Sequence, residues 1–193
     1  MQSSRNIKAN AYILIGGSSK RFGSPKWEAT FNGVRLIDQT WESCKEFENR
    51  YIIGKSKFNQ IEYPFILDKM VKVQSPLNGI YSALKDSNKE WNFIISCDLP
   101  LMSSKIIQKM WNKGNKSADA IVPIIDEQSH PICAFYNKEI ELNIKKELMV
   151  NNLKVVNLLK LIKTDYIDMN ENRKEFTNMN TQEDLQNIIN KVY

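Results

Sequence analysis

The chain has 193 residues, 42% of them hydrophobic, which predicts one domain over residues 1–193 with residues 1–9 as a flexible tail. It contains neither an apolar run of the roughly 20 residues that span a membrane nor a secretory signal, so we expect a cytoplasmic protein without a membrane partner. Its net charge of +5 is spread out, without the basic stripe of nucleic-acid binders, and its three cysteines and one histidine suggest neither disulfides nor a transition-metal site.

Short apolar runs alternate with segments of helical periodicity along the chain. We predict strands over residues 11–15, 51–53, 65–67, 91–96, 118–125, 131–136 and 165–169. We predict helices over residues 35–47, 77–84, 103–111, 138–149, 153–162 and 182–192. This alternation is typical of an α/β fold with a mostly parallel sheet and helices on both faces.

A glycine-rich segment, residues 14–26, follows the first predicted strand directly. Its three glycines would let backbone N–H groups close around phosphate oxygens, and Lys20, Arg21 and Lys26 could neutralise a triphosphate. The segment is neither a Walker A loop nor the dinucleotide-binding fingerprint, because the spacing of its glycines fits neither motif. Taken by themselves, the glycines leave an ordinary surface turn as the alternative interpretation.

A single acidic residue, Asp98, follows the predicted strand over residues 91–96. Its carboxylate could bind Mg²⁺, and the alternative is a turn aspartate that caps nearby backbone amides. Parallel sheets bind ligands at the carboxyl ends of their strands. We therefore predict that Lys26 and Asp98 lie on the same edge of the sheet and form one nucleotide site.

Four motifs in order along residues 12–185 resemble those of the molybdenum cofactor guanylyltransferases, the MobA family of nucleotidyltransferases. Residues 14–26 match L-x-G-G-x-S-x-R-x-G-x-x-K, and residues 75–79 match G-P-L-x-G except for Ser75. Residues 130–136 match H-P-x-x-A-x-Y, and residues 178–185 match N-x-N-T-x-E-D-L. The resemblance implies a Rossmann-like three-layer sandwich that binds GTP and Mg²⁺ and acts on molybdopterin.

The resemblance also implies roles for particular residues. The implied GTP contacts are Leu14, Ile15, Gly16, Gly17, Lys26, Asp68 and Asp98. The implied catalytic residues are Arg21, Lys26 and Asp98, with Asp98 as the metal ligand. The implied residues of the pterin side are Gly23, Asn178, Asn180 and Lys154. Gly54 departs from the family pattern, because an asparagine that contacts the nucleotide often stands there.

The expected reaction is transfer of GMP from GTP to the terminal phosphate of molybdopterin, with release of pyrophosphate. Other cofactor-biosynthesis proteins or molybdoenzyme chaperones are expected as transient partners. Two alternatives remain open: an enzyme of the same fold that uses CTP or another acceptor, and a non-catalytic nucleotide- or pterin-binding module. We interpret His130 and Cys97 as packing residues rather than as catalytic groups.

Overall fold

The computed structural model describes residues 7–16 and 25–179 of the chain. Its strands are β1 (Ala9–Leu14), β2 (Thr30–Phe31), β3 (Val34–Arg35), β4 (Arg50–Gly54), β5 (Phe65–Leu67), β6 (Trp91–Ser96), β7 (Ala120–Ile125), β8 (Gln128–Ser129), β9 (Cys133–Asn137) and β10 (Thr164–Asp168). Its α-helices are α1 (Leu36–Ser43), α2 (Pro76–Asp86), α3 (Ser104–Lys113), α4 (Glu141–Met149) and α5 (Val155–Leu159). Short 3-10 helices cover Lys26–Glu28, Lys138–Ile140 and Asn170–Phe176. Within these ranges we find no helix with the length and apolar character needed to cross a membrane.

One large sheet runs through the middle of the structure and is mostly parallel. Its strands follow the order β10-β7-β9-β6-β1-β4-β5, and β8 pairs with β7. The pairs β10·β7, β6·β1, β1·β4 and β4·β5 are parallel. The strand β9 is antiparallel to both β6 and β7, and β8 is antiparallel to β7. The predicted α/β fold with a mostly parallel sheet is therefore confirmed.

Helices cover both faces of this sheet. Side chains of the central strand β1 alternate between the faces, so that Ala11 and Ile13 pack with α1 and α3, whereas Tyr12 and Leu14 pack with α2, α4 and α5. Because both faces are covered, all six residues of β1 are buried, as expected for a parallel strand in the centre of a sheet. The predicted three-layer sandwich is confirmed.

The start of α2 is fixed by its sequence. The hydroxyl of Ser75 accepts a hydrogen bond from the backbone N–H of Leu77 at 3.1 Å, and Pro76 occupies the first turn, where a missing N–H costs nothing. The buried residues Leu77, Ile80 and Leu84 are spaced three and four apart and face the sheet. Since α2 follows β5, its N-terminus lies near the edge at which the parallel strands end.

The structure corrects the predicted N-terminal tail. Residues 7–9 do not belong to a tail, because Ile7 is buried and forms a bridge to Phe47, and Ala9 begins β1. The sequence prediction missed Ile7 because it is a single apolar residue between the polar Asn6 and Lys8, and its side chain is buried in the core on the α1 side. Residues 1–6 lie outside the described residues.

Other predicted elements differ from the structure in their bounds, and the helix predicted over residues 153–162 is limited to α5, Val155–Leu159. The helix predicted over residues 35–47 ends at Ser43 and is followed by a turn. The strand predicted over residues 131–136 begins at Cys133. The helix predicted over residues 182–192 lies outside the described residues.

Gly114, directly after α3, lies at a point of tight packing. A Cβ atom there would be 2.5 Å from Cδ1 and Cγ2 of Ile121 on β7. The backbone φ of −71° is open to any residue, so packing rather than conformation requires the glycine.

We predict that Gly114→Ala lowers the free energy of unfolding by about 1–3 kcal/mol, the usual cost of overpacking a core, as measured by urea denaturation. The loss in Gly114→Ala/Ile121→Ala should be smaller than the sum of the two single losses, because alanine at position 121 removes the atoms that the new Cβ meets. An unchanged urea midpoint in Gly114→Ala would contradict the packing.

Candidate active site

A cleft of about 1290 Å³ lies at the edge of the sheet where the parallel strands end. Residues at or just after the ends of β1, β4, β5 and β6 line it, together with residues before β9 and at the N-terminus of α2. Six of the predicted site residues are among them: Leu14, Ile15, Gly16, Asp68, Asp98 and Asn178. Open α/β sheets bind their ligands at this position.

Asp98 is held in the turn that follows β6. Its backbone carbonyl accepts a hydrogen bond from the N–H of Met179 at 2.8 Å. The hydroxyl of Ser96 donates a hydrogen bond to Asp98 Oδ1, which orients the carboxylate. The side chain of Asp98 is 20% exposed, so it is fixed by protein contacts and still open to the cleft.

Lys26 reaches Asp98 from the short helix that begins at the last residue of the glycine-rich segment. Lys26 Nζ lies 3.7 Å from Asp98 Oδ2. The neighbouring Trp27 is buried and packs against Phe58, with ring centroids 5.2 Å apart, which anchors the backbone that carries Lys26. The predicted placement of Lys26 and Asp98 on the same edge of the sheet is confirmed.

This ion pair suits a site that binds a charged ligand. Both side chains are partly exposed, at 26% for Lys26 and 20% for Asp98, so their attraction contributes little to folding. A ligand that offered a phosphate to the ammonium group and a metal ion to the carboxylate would replace the attraction with stronger contacts. The pair can therefore separate on binding at small cost.

A second carboxylate, Asp68, lines the cleft two strands away from β1. The N–H of Asp68 donates to the carbonyl of Gly54 at 3.0 Å, which continues the pairing of β4 with β5. Burial raises the pKa of Asp68 above its ordinary value, and the charge of Lys55 and the hydroxyl of Ser82 partly offset this. Its Oδ1 is buried and receives no hydrogen bond from the described residues, so a donor that reached this atom would satisfy it.

The remaining predicted residues divide into two groups. Gly17, Arg21, Gly23 and Asn180 lie outside the described residues. Lys154 is the exposed N-cap of α5 and is not among the described residues that line the cleft. Asn178 lines the cleft. The roles of Lys154 and Asn178 on the pterin side stay predictions.

His130 and Cys97 both lie near Asp98. His130 lines the cleft and packs edge-on against Phe176 at 5.3 Å. Burial lowers the pKa of His130 below its ordinary value, and the negative charge of Asp98 partly offsets this, so the imidazole is neutral at neutral pH. Burial raises the pKa of Cys97 to about 12, which keeps the thiol protonated and unreactive.

Two residues of the site had a signal in the sequence that the prediction missed. Ser96 and Lys55 both stand at the carboxyl end of a parallel strand, β6 and β4 respectively, and both line the cleft. The rule that located Asp98, that ligands bind at strand ends, applies equally to these two positions. Serine and lysine are both common on protein surfaces, so neither residue by itself indicates a ligand site.

Comparison with known proteins agrees with this geometry. Residues 11–148 match the MobA-like NTP transferase domain. Probable molybdenum cofactor guanylyltransferases are similar to the chain: that of Bacillus velezensis is 30% identical over 93% of this chain and 94% of its own, and that of Bacillus subtilis is 31% identical over 90% of each. The crystal structure of molybdopterin-guanine dinucleotide biosynthesis protein A from Archaeoglobus fulgidus has the same fold, with a TM-score of 0.80, 22% identity and coverage of 93% of this chain and 96% of that one. The chain therefore belongs to the family of MobA-like NTP transferases.

Proposed function

We propose that this protein transfers GMP from GTP to the terminal phosphate of molybdopterin and so makes the guanine dinucleotide form of the molybdenum cofactor. The observation that carries the proposal is the pairing of Lys26 with Asp98 at the ends of parallel strands, where a metal-bound triphosphate would replace the ion pair. The relatives named as probable molybdenum cofactor guanylyltransferases match nearly the whole chain, which supports this choice of nucleotide and acceptor.

Nucleotidyltransferases generally use a divalent metal, and the residues of the cleft fit Mg²⁺. Among the described residues no group of three or more His, Cys, Asp or Glu side chains could enclose a metal ion. Mg²⁺ does not need such a cage, because it commonly binds one or two carboxylates together with water and substrate phosphates. Asp98 would hold it, with Ser96 orienting the carboxylate. When bound, Mg²⁺ supplies positive charge to the phosphate oxygens.

The chain's own groups position the reactants. The backbone of residues 14–16 would contact the nucleotide, and Lys26, with Arg21 from the preceding segment, would hold the triphosphate. An oxygen of the terminal phosphate of molybdopterin forms a bond to the α-phosphorus of GTP. The bond from the α-phosphorus to the bridging oxygen breaks, and pyrophosphate leaves with its electron pair. Positioning and charge stabilisation account for most of the catalysis in such transfers.

No general base is needed, because a phosphate nucleophile is already ionised at neutral pH. This agrees with the neutral His130 and the protonated Cys97, neither of which is asked to move a proton. The cleft exceeds the volume of about 300–1,000 Å³ that is usual for one small ligand, which leaves room for an acceptor beside GTP.

Asn178 would contact the acceptor, and Gly23 and Asn180 are proposed beside it. We place this reaction in the cytoplasm, with transient contacts to other cofactor-biosynthesis proteins or molybdoenzyme chaperones.

Selective stabilisation by nucleotides tests the proposal. With Mg²⁺ present, we predict that GTP raises the melting temperature more than CTP or UTP does, because the ligand that binds more tightly stabilises the folded state more. A ligand at about 100 times its Kd stabilises a protein by about 2.7 kcal/mol. Pyrophosphate release that requires molybdopterin should accompany this. A larger shift with CTP would instead indicate a cytidylyl enzyme. Selective binding of GTP without pyrophosphate release would indicate a binding module.

A further inference from the structure

Lys55 and Asp68 are neighbours at the ends of two adjacent strands. Gly54 of β4 pairs with Leu67 of β5, and each of the two charged residues comes directly after its strand. Both side chains line the cleft. A cation that can donate hydrogen bonds thus lies beside a carboxylate whose buried Oδ1 receives no hydrogen bond from the described residues.

This pair lies away from the phosphate end of the cleft. The strands β6, β1, β4 and β5 are consecutive in the sheet, so Asp68 is three strand spacings, about 14 Å, from Asp98. An extended nucleoside triphosphate places its phosphates and the outer edge of its base at opposite ends. From the phosphates between Lys26 and Asp98, the cleft continues toward residues 128–133 in one direction and toward Lys55 and Asp68 in the other. We take the base to lie toward Lys55 and Asp68, because the lining over residues 128–133 includes no carboxylate that could accept its donors.

The edge of guanine complements this arrangement. Its N1–H and N2 amino group are adjacent donors that one carboxylate can accept together, and its O6 is an acceptor that faces the next donor. Cytosine and adenine each offer only one donor group beside their ring acceptor. Gly54 contributes no side chain here, and a Cβ atom at that position would lie 3.0 Å from Cγ1 of Ile15. A side-chain donor for O6 would therefore come from another residue.

We propose that Lys55 is a specificity-determining residue that donates a hydrogen bond to guanine O6, beside the contacts of Asp68 with N1–H and the N2 amino group. This inference rests on the proposed function, because it takes GTP as the substrate. It adds a second polar contact to the nucleotide site directly after Gly54, the position at which the family pattern often has an asparagine.

The test compares three triphosphates that differ only at the base edge, with Mg²⁺ present. GTP has both O6 and the 2-amino group, ITP has O6 alone, and 2-aminopurine riboside triphosphate has the amino group alone. Calorimetry should show that Lys55→Met weakens the binding of GTP and ITP about tenfold, as expected for a hydrogen bond from a charged donor, and leaves the third ligand unchanged. Lys55→Arg should retain most of the affinity for GTP.

Lys57→Met is the matched control. Lys57 is an exposed lysine two residues along the same loop, and it is not among the described residues that line the cleft. Its replacement removes the same charge as Lys55→Met does but no contact in the cleft, so we expect no change with any of the three ligands.

The possible outcomes separate this inference from the proposed function. Equal weakening of all three ligands by Lys55→Met would mean that Lys55 acts on the phosphates, and would overturn the assignment while the proposed function stands. An undiminished affinity for GTP would overturn it equally. A wild-type protein that binds CTP more tightly than GTP would overturn the proposed function, and this assignment with it.

Discussion

Replacing Asp98 by asparagine is expected to lower kcat by about 100- to 1,000-fold while the fold survives. Asparagine keeps the size of the side chain and an oxygen that can accept the hydrogen bond from Ser96, but it removes the negative charge that would hold Mg²⁺. Losses of this size follow when one preorganised electrostatic contact to a reacting group is removed. Steady-state kinetics with saturating GTP and Mg²⁺ measures the change.

Thermal unfolding separates this effect from damage to the fold. The ion pair with Lys26 is partly exposed, so its loss should change the melting temperature little. Glu42→Gln is the control, because Glu42 of α1 forms an exposed ion pair, at 3.0 Å, with Lys45 in the turn after the helix, and neither residue is among the described residues that line the cleft. We expect full activity from the control. An Asp98→Asn enzyme as active as the wild type would place the metal and the reaction elsewhere.

Lys26→Met is the second substitution with a large expected effect. Loss of the ammonium group should lower kcat/KM for GTP by about 100-fold or more, because the charge on the departing pyrophosphate then lacks its partner. Lys26→Arg should retain part of the activity, since it keeps the charge but changes its geometry. Initial rates over a range of GTP concentrations give the comparison.

A matched lysine and a double variant complete this experiment. Lys85→Met removes a partner from another partly exposed ion pair, formed with Glu141 at 3.4 Å, and should leave the rate unchanged. If Lys26 and Asp98 act on one bound triphosphate, the loss in the double variant Lys26→Met/Asp98→Asn should be clearly smaller than the product of the single losses. Strictly multiplicative losses would show that the two residues act at separate sites.

The position of the site could be predicted from the sequence because it depends on strand order and direction alone. The apolar run before Gly16 and the run before Asp98 both predict buried strands, and parallel strands end at the same edge of a sheet. The structure pairs these two strands directly and in register, with Leu14 opposite Ser96. This pairing brings Gly16 and Asp98 to one edge of the sheet, and the short helix anchored by the buried Trp27 carries Lys26 to the same edge.

The antiparallel strand β9 is a feature that the sequence allowed but the prediction did not specify. Only five residues separate the strands predicted over residues 118–125 and 131–136. A parallel connection needs a dozen or more, so these two strands have to be antiparallel. This reversal brings His130 to the carboxyl ends of the parallel strands, which is why a residue interpreted as packing also lines the cleft.

Other features of the site could not be predicted from the sequence, because they depend on distances between side chains. No pattern indicates that the hydroxyl of Ser96 donates to Asp98, or that Asp68 Oδ1 is buried without a hydrogen bond from the described residues. The exposed position of Lys154 is another example, since its place at the start of α5 depends on how residues 150–154 turn.

A crystal structure of the protein with Mg²⁺ and a non-hydrolysable GTP analogue tests most directly whether Lys26 and Asp98 bind one nucleotide between them. We predict a metal ion about 2.1 Å from an Asp98 carboxylate oxygen. We also predict a phosphate oxygen of the same nucleotide within hydrogen-bonding distance of Lys26 Nζ, and the guanine base beside Asp68. A nucleotide bound outside the cleft, or one bound while the ion pair between Lys26 and Asp98 stays intact, would contradict this.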